Sequence, residues 1–344
     1  MAKRRKMNIS RYLSYNFTSS FLTIFLPLFF IGALVFIIKI SALTASIQIS
    51  FWEMIQLFSY NLPAILFYTL PISFLVAVVM TLLRLSNDNE LMALFALGKN
   101  SKSIMNRFLF IAFLFSTVLL ILSLGLMPKT KQQFKAFKYK KSSEAQVNIN
   151  PSKLGQKFGN LFVYVKSKDE KSLHDVVIYN KDKTHSDQLF MAKSAHIKNR
   201  DAVVTLTLND GSGYTFNKDS LKEIHYKKMQ VFQNLNTEEF TYHNILAYWT
   251  KLSLDPNKKR RILFFIYTSL IPVIALYIIA AFSIINPRYQ KNYAYHILGI
   301  TAIGLYSIAT LLENQGNYIA LLVAIMLSIF LGQFLFHRYV QRYF

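Results

Sequence analysis

Long uncharged runs occupy the first and last thirds of the chain, and the middle third breaks into short alternating segments. The uncharged runs cover 17–38, 54–83, 108–128, 262–287, 297–312 and 314–336. Most exceed the roughly 18 residues that a helix needs to cross hydrocarbon, and the fifth is the weakest. Six transmembrane helices in two groups of three are predicted. The run 54–83 is too long for one crossing. Its first part is expected at the interface, starting near Trp52, with the true span beginning around Pro63.

Residues 142–245 have a different texture. Leu161-Phe-Val-Tyr-Val165 and Ala202-Val-Val-Thr-Leu-Thr-Leu208 alternate or run apolar in the manner of strands. Asn180-Lys-Asp-Lys183 separates Val176-Val-Ile-Tyr179 from Gln188-Leu-Phe-Met191, and Asn209-Asp-Gly-Ser-Gly213 is expected as a turn between strands. Several short strands at regular intervals suggest a sandwich or jelly roll. The fold class predicted is therefore membrane α-helical, with an inserted all-β, jelly-roll-like domain. Its parts are spans one to three in 1–128, the β domain in 129–258 and spans four to six in 259–344.

Composition supports the class. The chain is 53% hydrophobic and 15% aromatic, with 30 Phe and 20 Tyr, more apolar surface than one soluble core can hide. It has no cysteine, which excludes disulfides, thiolate catalysis and cysteine metal sites. The basic start, Lys3-Arg4-Arg5-Lys6, precedes an apolar run too long for a signal peptide, and reads as a retained first helix.

Charge sets the orientation. Net charge is +22, from 39 Lys and Arg against 17 Asp and Glu. The N-terminal segment carries Lys3, Arg4, Arg5, Lys6 and Arg11; the second loop Arg84, Lys99, Lys102 and Arg107; the fourth Arg288 and Lys291; the C-terminus Arg338 and Arg342. The positive-inside rule puts both termini in the cytoplasm and the β domain in the periplasm. Two basic runs then lie outside, one over 129–141 and one at Lys258, Lys259, Arg260 and Arg261. Long loops translocate largely regardless of charge. At roughly 1 kcal/mol of attraction per base, these runs act either as a general headgroup anchor or as a trap for a heavily phosphorylated lipid.

The second loop is the sharpest segment: Leu83-Arg-Leu-Ser-Asn-Asp-Asn-Glu90-Leu-Met-Ala-Leu-Phe-Ala-Leu-Gly98. Asn87 and Glu90 have capping-box spacing, and Gly98 is a helix stop. A short helix over about 87–97 is predicted, with Leu91, Leu94 and Phe95 on one face. Either it docks into another subunit or it rests on lipid. Lys39, ending the first span, either snorkels to the headgroups or contacts an anionic lipid in an outward-opening cavity. Gly98-Lys-Asn-Ser101 lacks the glycine and the strand of a phosphate-binding loop, so nucleotide binding by this chain is excluded. The seven histidines show no HExxH pattern or ligand spacing, and Gly211-Ser-Gly213 is not a nucleophile elbow. No enzyme and no metal site is expected.

On these residues the chain resembles the lipopolysaccharide-export permease family (LptF/LptG, once YjgP/YjgQ). The likeness rests on Leu70-Pro71, the second loop through Glu90 to Gly98, Arg11-Tyr12-Leu13, Ile285-Asn286-Pro287-Arg288, and Val204-Thr-Leu with Gly211 and Tyr214. Asn286-Pro287-Arg288 resembles the LptF branch, and Asn100-Ser101-Lys102 has no clear counterpart in the family. The resemblance implies a heterodimer with an LptG-type permease above a cytoplasmic LptB-type ATPase dimer, which holds ATP and Mg. It implies no cofactor in this chain and no nucleic-acid partner. It also implies lipopolysaccharide taken from the outer leaflet of the inner membrane and passed to LptC-type and LptA-type bridge proteins. Glu90, with Arg84, Leu91, Leu94 and Phe95, matches the ATPase-coupling helix. Lys39 and Arg261 are the expected substrate contacts. The rival readings are a different ABC-type lipid or lipoprotein exporter and a non-transport membrane scaffold, which would need no coupling helix.

Overall fold

The computed structural model describes residues 9–44, 49–147, 156–158, 161–169, 172–181, 187–200, 203–217, 220–234, 244–250, 256–289 and 291–342. The helices are α1 (Ile9–Thr44), α2 (Phe51–Asn87), α3 (Glu90–Ala96), α4 (Ser101–Leu120), α5 (Met127–Val147), α6 (Ile245–Thr250), α7 (Pro256–Ser283), α8 (Ala294–Gln315) and α9 (Tyr318–Phe336). A π-helical segment, Ile121–Leu126, joins α4 to α5 without a break, and another, His337–Gln341, extends α9. Among the described residues, six helical stretches are long and apolar enough to cross a membrane. With the β sheet inserted after the third, the structure is a membrane-helical protein with an inserted β domain, as predicted.

α1, α2, the continuous α4–α5 helix and α8 overrun the uncharged sequence at both ends, whereas α7 stops at Ser283 and α9 starts at Tyr318, each inside its uncharged run. The basic stretch from Lys129 lies on α5, continuous with the third span, and Lys258–Arg261 falls in the start of α7. The second uncharged run lies on one helix that begins one residue before Trp52. α2 is one helix of 37 residues, with Pro63 and Pro71 inside it, although Trp52 at its start is 77% exposed. Proline in a membrane helix is tolerated where neighbouring helices and side chains supply the lost contacts.

The membrane bundle is organised around α2 and α7. Phe74, Leu75, Val78, Val79 and Leu82 of α2 pack with Leu263, Tyr267, Ile271, Ala275 and Ile279 of α7 in one buried cluster. Polar groups in this interior pair across helices: Tyr267 with Ser328 at 3.1 Å and Ser123 with Ser269 at 3.2 Å. In hydrocarbon such groups have no water to turn to, so mutual pairing fixes the helix register. α1 attaches by an aromatic ridge. Phe17, Phe21 and Phe25 follow at i, i+4 with centroids 6.0 and 5.2 Å apart, and Phe115 of α4 meets Phe21 edge-on at 5.1 Å. Further along α1, Phe30, Ile31, Leu34 and Ile38 are exposed.

The β domain is a six-stranded antiparallel meander: β1 (Gln156–Phe158), β2 (Leu161–Lys168), β3 (Leu173–Lys181), β4 (Asp187–Arg200), β5 (Val203–Asn217) and β6 (Ser220–Asn234), neighbours in sequence order. One face carries its core: Val163, Val165, Val176, Ile178, Ala192, Ala195, Leu206 and Leu208. The turn expected at 209–213 is absent. Those residues run through β5, pairing Asn209 with Ser194 and Gly211 with Ala192. The reason is an extra residue in each of four strands at the same level. The inward sets Leu173–Ala195–Leu208–Met229 and Val176–Ala192–Gly211–Tyr226 are cross-strand rows, three residues apart along each strand instead of two. Asp175 and Asp210 absorb the extra residue in left-handed conformation, at φ 50° and 49°. All the strands shift together, so the register survives and the same face stays inward. Gly211 is obligatory there. A Cβ on it would collide with the Met191 carbonyl oxygen and sit 2.6 Å from the Tyr226 hydroxyl, which itself donates to that carbonyl at 2.9 Å. Burial pushes the Tyr226 phenol above its ordinary pKa, so it remains a donor.

The chain divides into two compact units. One holds 1–41, 52–133 and 243–344; the other holds 42–51 and 134–242.

Candidate functional site

The helices alternate in direction, so one end of the bundle gathers the start of α1, the end of α2, α3, the start of α4 and the end of α7. The apolar pattern of α3 places Leu91 inward, where it is fully buried in the main core cluster. Met92, Leu94 and Phe95 are half-buried against the same cluster. The predicted face is real, and it is used to seat α3 on its own spans. What α3 leaves outward is Ala93, Ala96 and Leu97, the last 80% exposed.

The ends of α3 are built differently from one another. The capping box expected between Asn87 and Glu90 is not formed. Asn87 is the last residue of α2, and Asn89 precedes α3 in left-handed conformation with no side-chain cap. A two-residue turn leaves no room for an extended capping residue, and asparagine tolerates positive φ. Gly98 does stop the helix. Its φ is 78°, and the Lys99 N–H closes back on the Leu94 carbonyl at 3.0 Å. Asn100 then caps α4 by accepting from the Lys102 N–H at 3.2 Å.

Three cross-helix contacts lock this end. The Tyr12 hydroxyl of α1 donates to Glu90 Oε1 at 2.9 Å. Arg107 Nε of α4 donates to the Ser14 hydroxyl of α1 at 2.9 Å. Ser86, fully buried at the end of α2, donates to the Ser283 carbonyl at 3.1 Å and accepts from the Ile285 N–H at 3.3 Å. Ser86 therefore ties the segment leading to α3 onto the end of α7, beside Asn286-Pro287-Arg288. Sequence reasoning quoted Tyr12 and Ser86 inside its motifs but could not give them partners 78 and 197 residues away. Arg84 is exposed and reaches Asp88 at 3.9 Å, a solvated i, i+4 pair of small energetic weight.

Lys39 and Arg261 are not brought to α3. Both are exposed, one near the far end of α1 and one in the first turns of α7. The basic segments around Arg261 are held by aromatic rings. Lys131 lies over Phe265 at 5.5 Å, Lys258 over Tyr248 at 4.9 Å and Lys259 over Tyr318 at 5.3 Å. Trp249 of α6 donates its indole N–H to the Leu124 carbonyl in the π segment at 2.8 Å, closing the return connection onto the third span. A π-helical turn leaves its carbonyls imperfectly paired, which makes Leu124 available. Among the described residues, no group of three or more His, Asp or Glu could hold a metal ion.

This end of the bundle is built from cross-helix hydrogen bonds and an apolar seat. It has a short helix rigidly fixed to four spans. Residues 11–338 match the family described as "Lipopolysaccharide export system permease LptF/LptG". No individual curated protein matches the chain.

Proposed function

The chain belongs to the LptF/LptG family of lipopolysaccharide export system permeases, and from that premise we propose that it is an LptF-type subunit of an ABC transporter. In this reading it pairs with an LptG-type permease in the inner membrane, with both termini in the cytoplasm. It takes lipopolysaccharide from the outer leaflet and passes it through the β domain to LptC-type and LptA-type bridge proteins. ATP is hydrolysed by an LptB-type dimer beneath it. The family is one of transporter permeases, not enzymes. The F type is favoured by Asn286-Pro287-Arg288.

The observation that carries the coupling role is the seating of α3. Leu91 is fully buried and Glu90 is held by Tyr12. A push on the exposed flank of α3 therefore reaches α1 through Glu90 and Tyr12, α2 through the chain itself, and α7 through Ser86. A helix floating on lipid would transmit nothing. The exposed flank, with Leu97 at its tip, is the face offered to the ATPase. The exposed apolar stretch of α1 at Phe30, Ile31, Leu34 and Ile38 suits a partner permease. The cations around Arg261, and Lys39, suit the phosphates of the cargo.

Glu90→Lys is expected to leave the protein folded and to abolish ATP-driven lipopolysaccharide release in proteoliposomes. Release at the normal rate from that variant would remove Glu90 from the coupling path.

A further inference from the structure

At the α3 end, a cleft of about 900 Å³ opens between α1, α3 and α4. Its chemistry is divided. Leu13, Leu94, Ile104 and Phe110 make one part of the wall apolar. Phe110, three residues past Arg107 on α4, is 59% exposed and faces what surrounds the bundle. Lys99, Arg107 and Ser103 make the other part polar and basic, and no carboxylate is among the lining residues. Arg107 is preorganised. Its Nε is engaged by Ser14 at 2.9 Å, and its guanidinium lies 5.6 Å from the Phe110 ring centroid. The lining residue Ile9 is preceded in sequence by Lys3, Arg4, Arg5 and Lys6.

We infer that this cleft is a binding site for an anionic glycerophospholipid, with its phosphate on Lys99 and Arg107 and the start of its acyl chains against Phe110 and Leu13. Three features select this occupant. A phosphate is recognised by two cations that have no acid among them, one a planar guanidinium fixed in place. An apolar wall continuous with a membrane-facing phenylalanine serves an acyl chain and is of no use to a free ion. A volume of about 900 Å³ fits a headgroup with its glycerol and first methylenes, and is far larger than an inorganic phosphate needs. The site touches α1, α3 and α4 together, so a bound lipid would brace α3 in the seated position. The site rests on the membrane reading of the chain; the naming of the cytoplasmic leaflet rests on the orientation proposed above.

The test uses the full-length chain purified with its copurifying partners in detergent. The complex is exchanged into a 1:1 mixture of phosphatidylglycerol and phosphatidylethanolamine, and retained lipids are counted by native mass spectrometry. Retention of phosphatidylglycerol over phosphatidylethanolamine is expected, with no displacement by millimolar inorganic phosphate. Lys99→Glu, at an exposed position, is expected to cut that retention by about tenfold or more, since it reverses a charge at the headgroup. Arg107→Gln can keep a hydrogen bond to Ser14 and is expected to cut it less. Equal retention of the two lipids, unchanged retention in both variants, or displacement by inorganic phosphate alone would each overturn the assignment. Glu90→Lys is the separating control. If it loses lipopolysaccharide release and retains phosphatidylglycerol, the two conclusions stand apart; if it releases normally while Lys99→Glu loses phosphatidylglycerol, only the coupling assignment fails.

Discussion

α1 and α7 are both plainly transmembrane by composition, and α1 is the more apolar of the two. Yet 67% of an 18-residue apolar stretch of α7 is buried within the chain, against 6% for α1. Apolarity tells a helix to enter the membrane; it does not tell it what to touch there, because lipid and protein are equally good company for a leucine. The neighbours are decided by small residues and buried hydroxyls. α7 has the buried Ala275, Ala280 and Ala281, and Ser269 and Tyr267 reaching for other helices. Gly332 lets α9 approach it: a Cβ there would lie 3.2 Å from Ile278 Cγ1. α1 has an aromatic ridge toward α2 and α4, and large exposed aliphatics beyond it.

The comparison breaks most visibly by overpacking. Ala275→Trp puts an indole where no space remains and is expected to destabilise the bundle by about 3 kcal/mol or more, lowering the thermal midpoint of the detergent-purified chain sharply. Leu34→Trp, at a position 59% exposed, is expected to leave that midpoint unchanged. Equal damage from both would mean that α1 is as internal as α7.

α3 behaves like a small copy of α7 on one face and of α1 on the other. Leu91→Asp buries an unpaired carboxylate, at a cost of several kcal/mol unless α3 detaches. Limited proteolysis should then cut between 88 and 100. Leu97→Asp should leave the loop as protected as in the natural sequence.

The same contrast holds for glycines. Gly211→Ala meets the Met191 carbonyl and the Tyr226 hydroxyl, so the β domain is expected to lose about 2 kcal/mol, in the range of typical single-site destabilisation. Gly299→Ala, with nothing within 4 Å, should be neutral or stabilise α8 by up to about 1 kcal/mol. Thermal unfolding followed separately in the far-ultraviolet strand and helix signals distinguishes them.

A smaller effect is expected at the polar tie between Tyr12 of α1 and Glu90 of α3. Tyr12→Phe removes a half-buried hydrogen bond to Glu90 worth about 1 kcal/mol. The coupling of ATP hydrolysis to lipopolysaccharide release should weaken a few-fold while hydrolysis itself continues. A variant that couples normally would place the transmission elsewhere, through α2 or Ser86.

The sequence by itself determined the spans, the inserted strands, the helix stop at Gly98 and which residues share the apolar face of α3, because each follows from local periodicity or backbone preference. It also held the family, in motifs scattered from Arg11 to Arg288. It misread 209–213 as a turn, since Asn-Asp-Gly-Ser-Gly has turn composition, and only the matching irregularity in neighbouring strands lets an extra residue pass through a strand. It misread Asn87 as a cap, since α2 runs one turn further than its apolar pattern. Tertiary structure alone decided that Tyr12 holds Glu90, that Ser86 joins α2 to α7, and that α3 turns its apolar face inward onto its own chain. Those outcomes depend on groups far apart in sequence meeting in a medium that gives a lone polar atom no other partner.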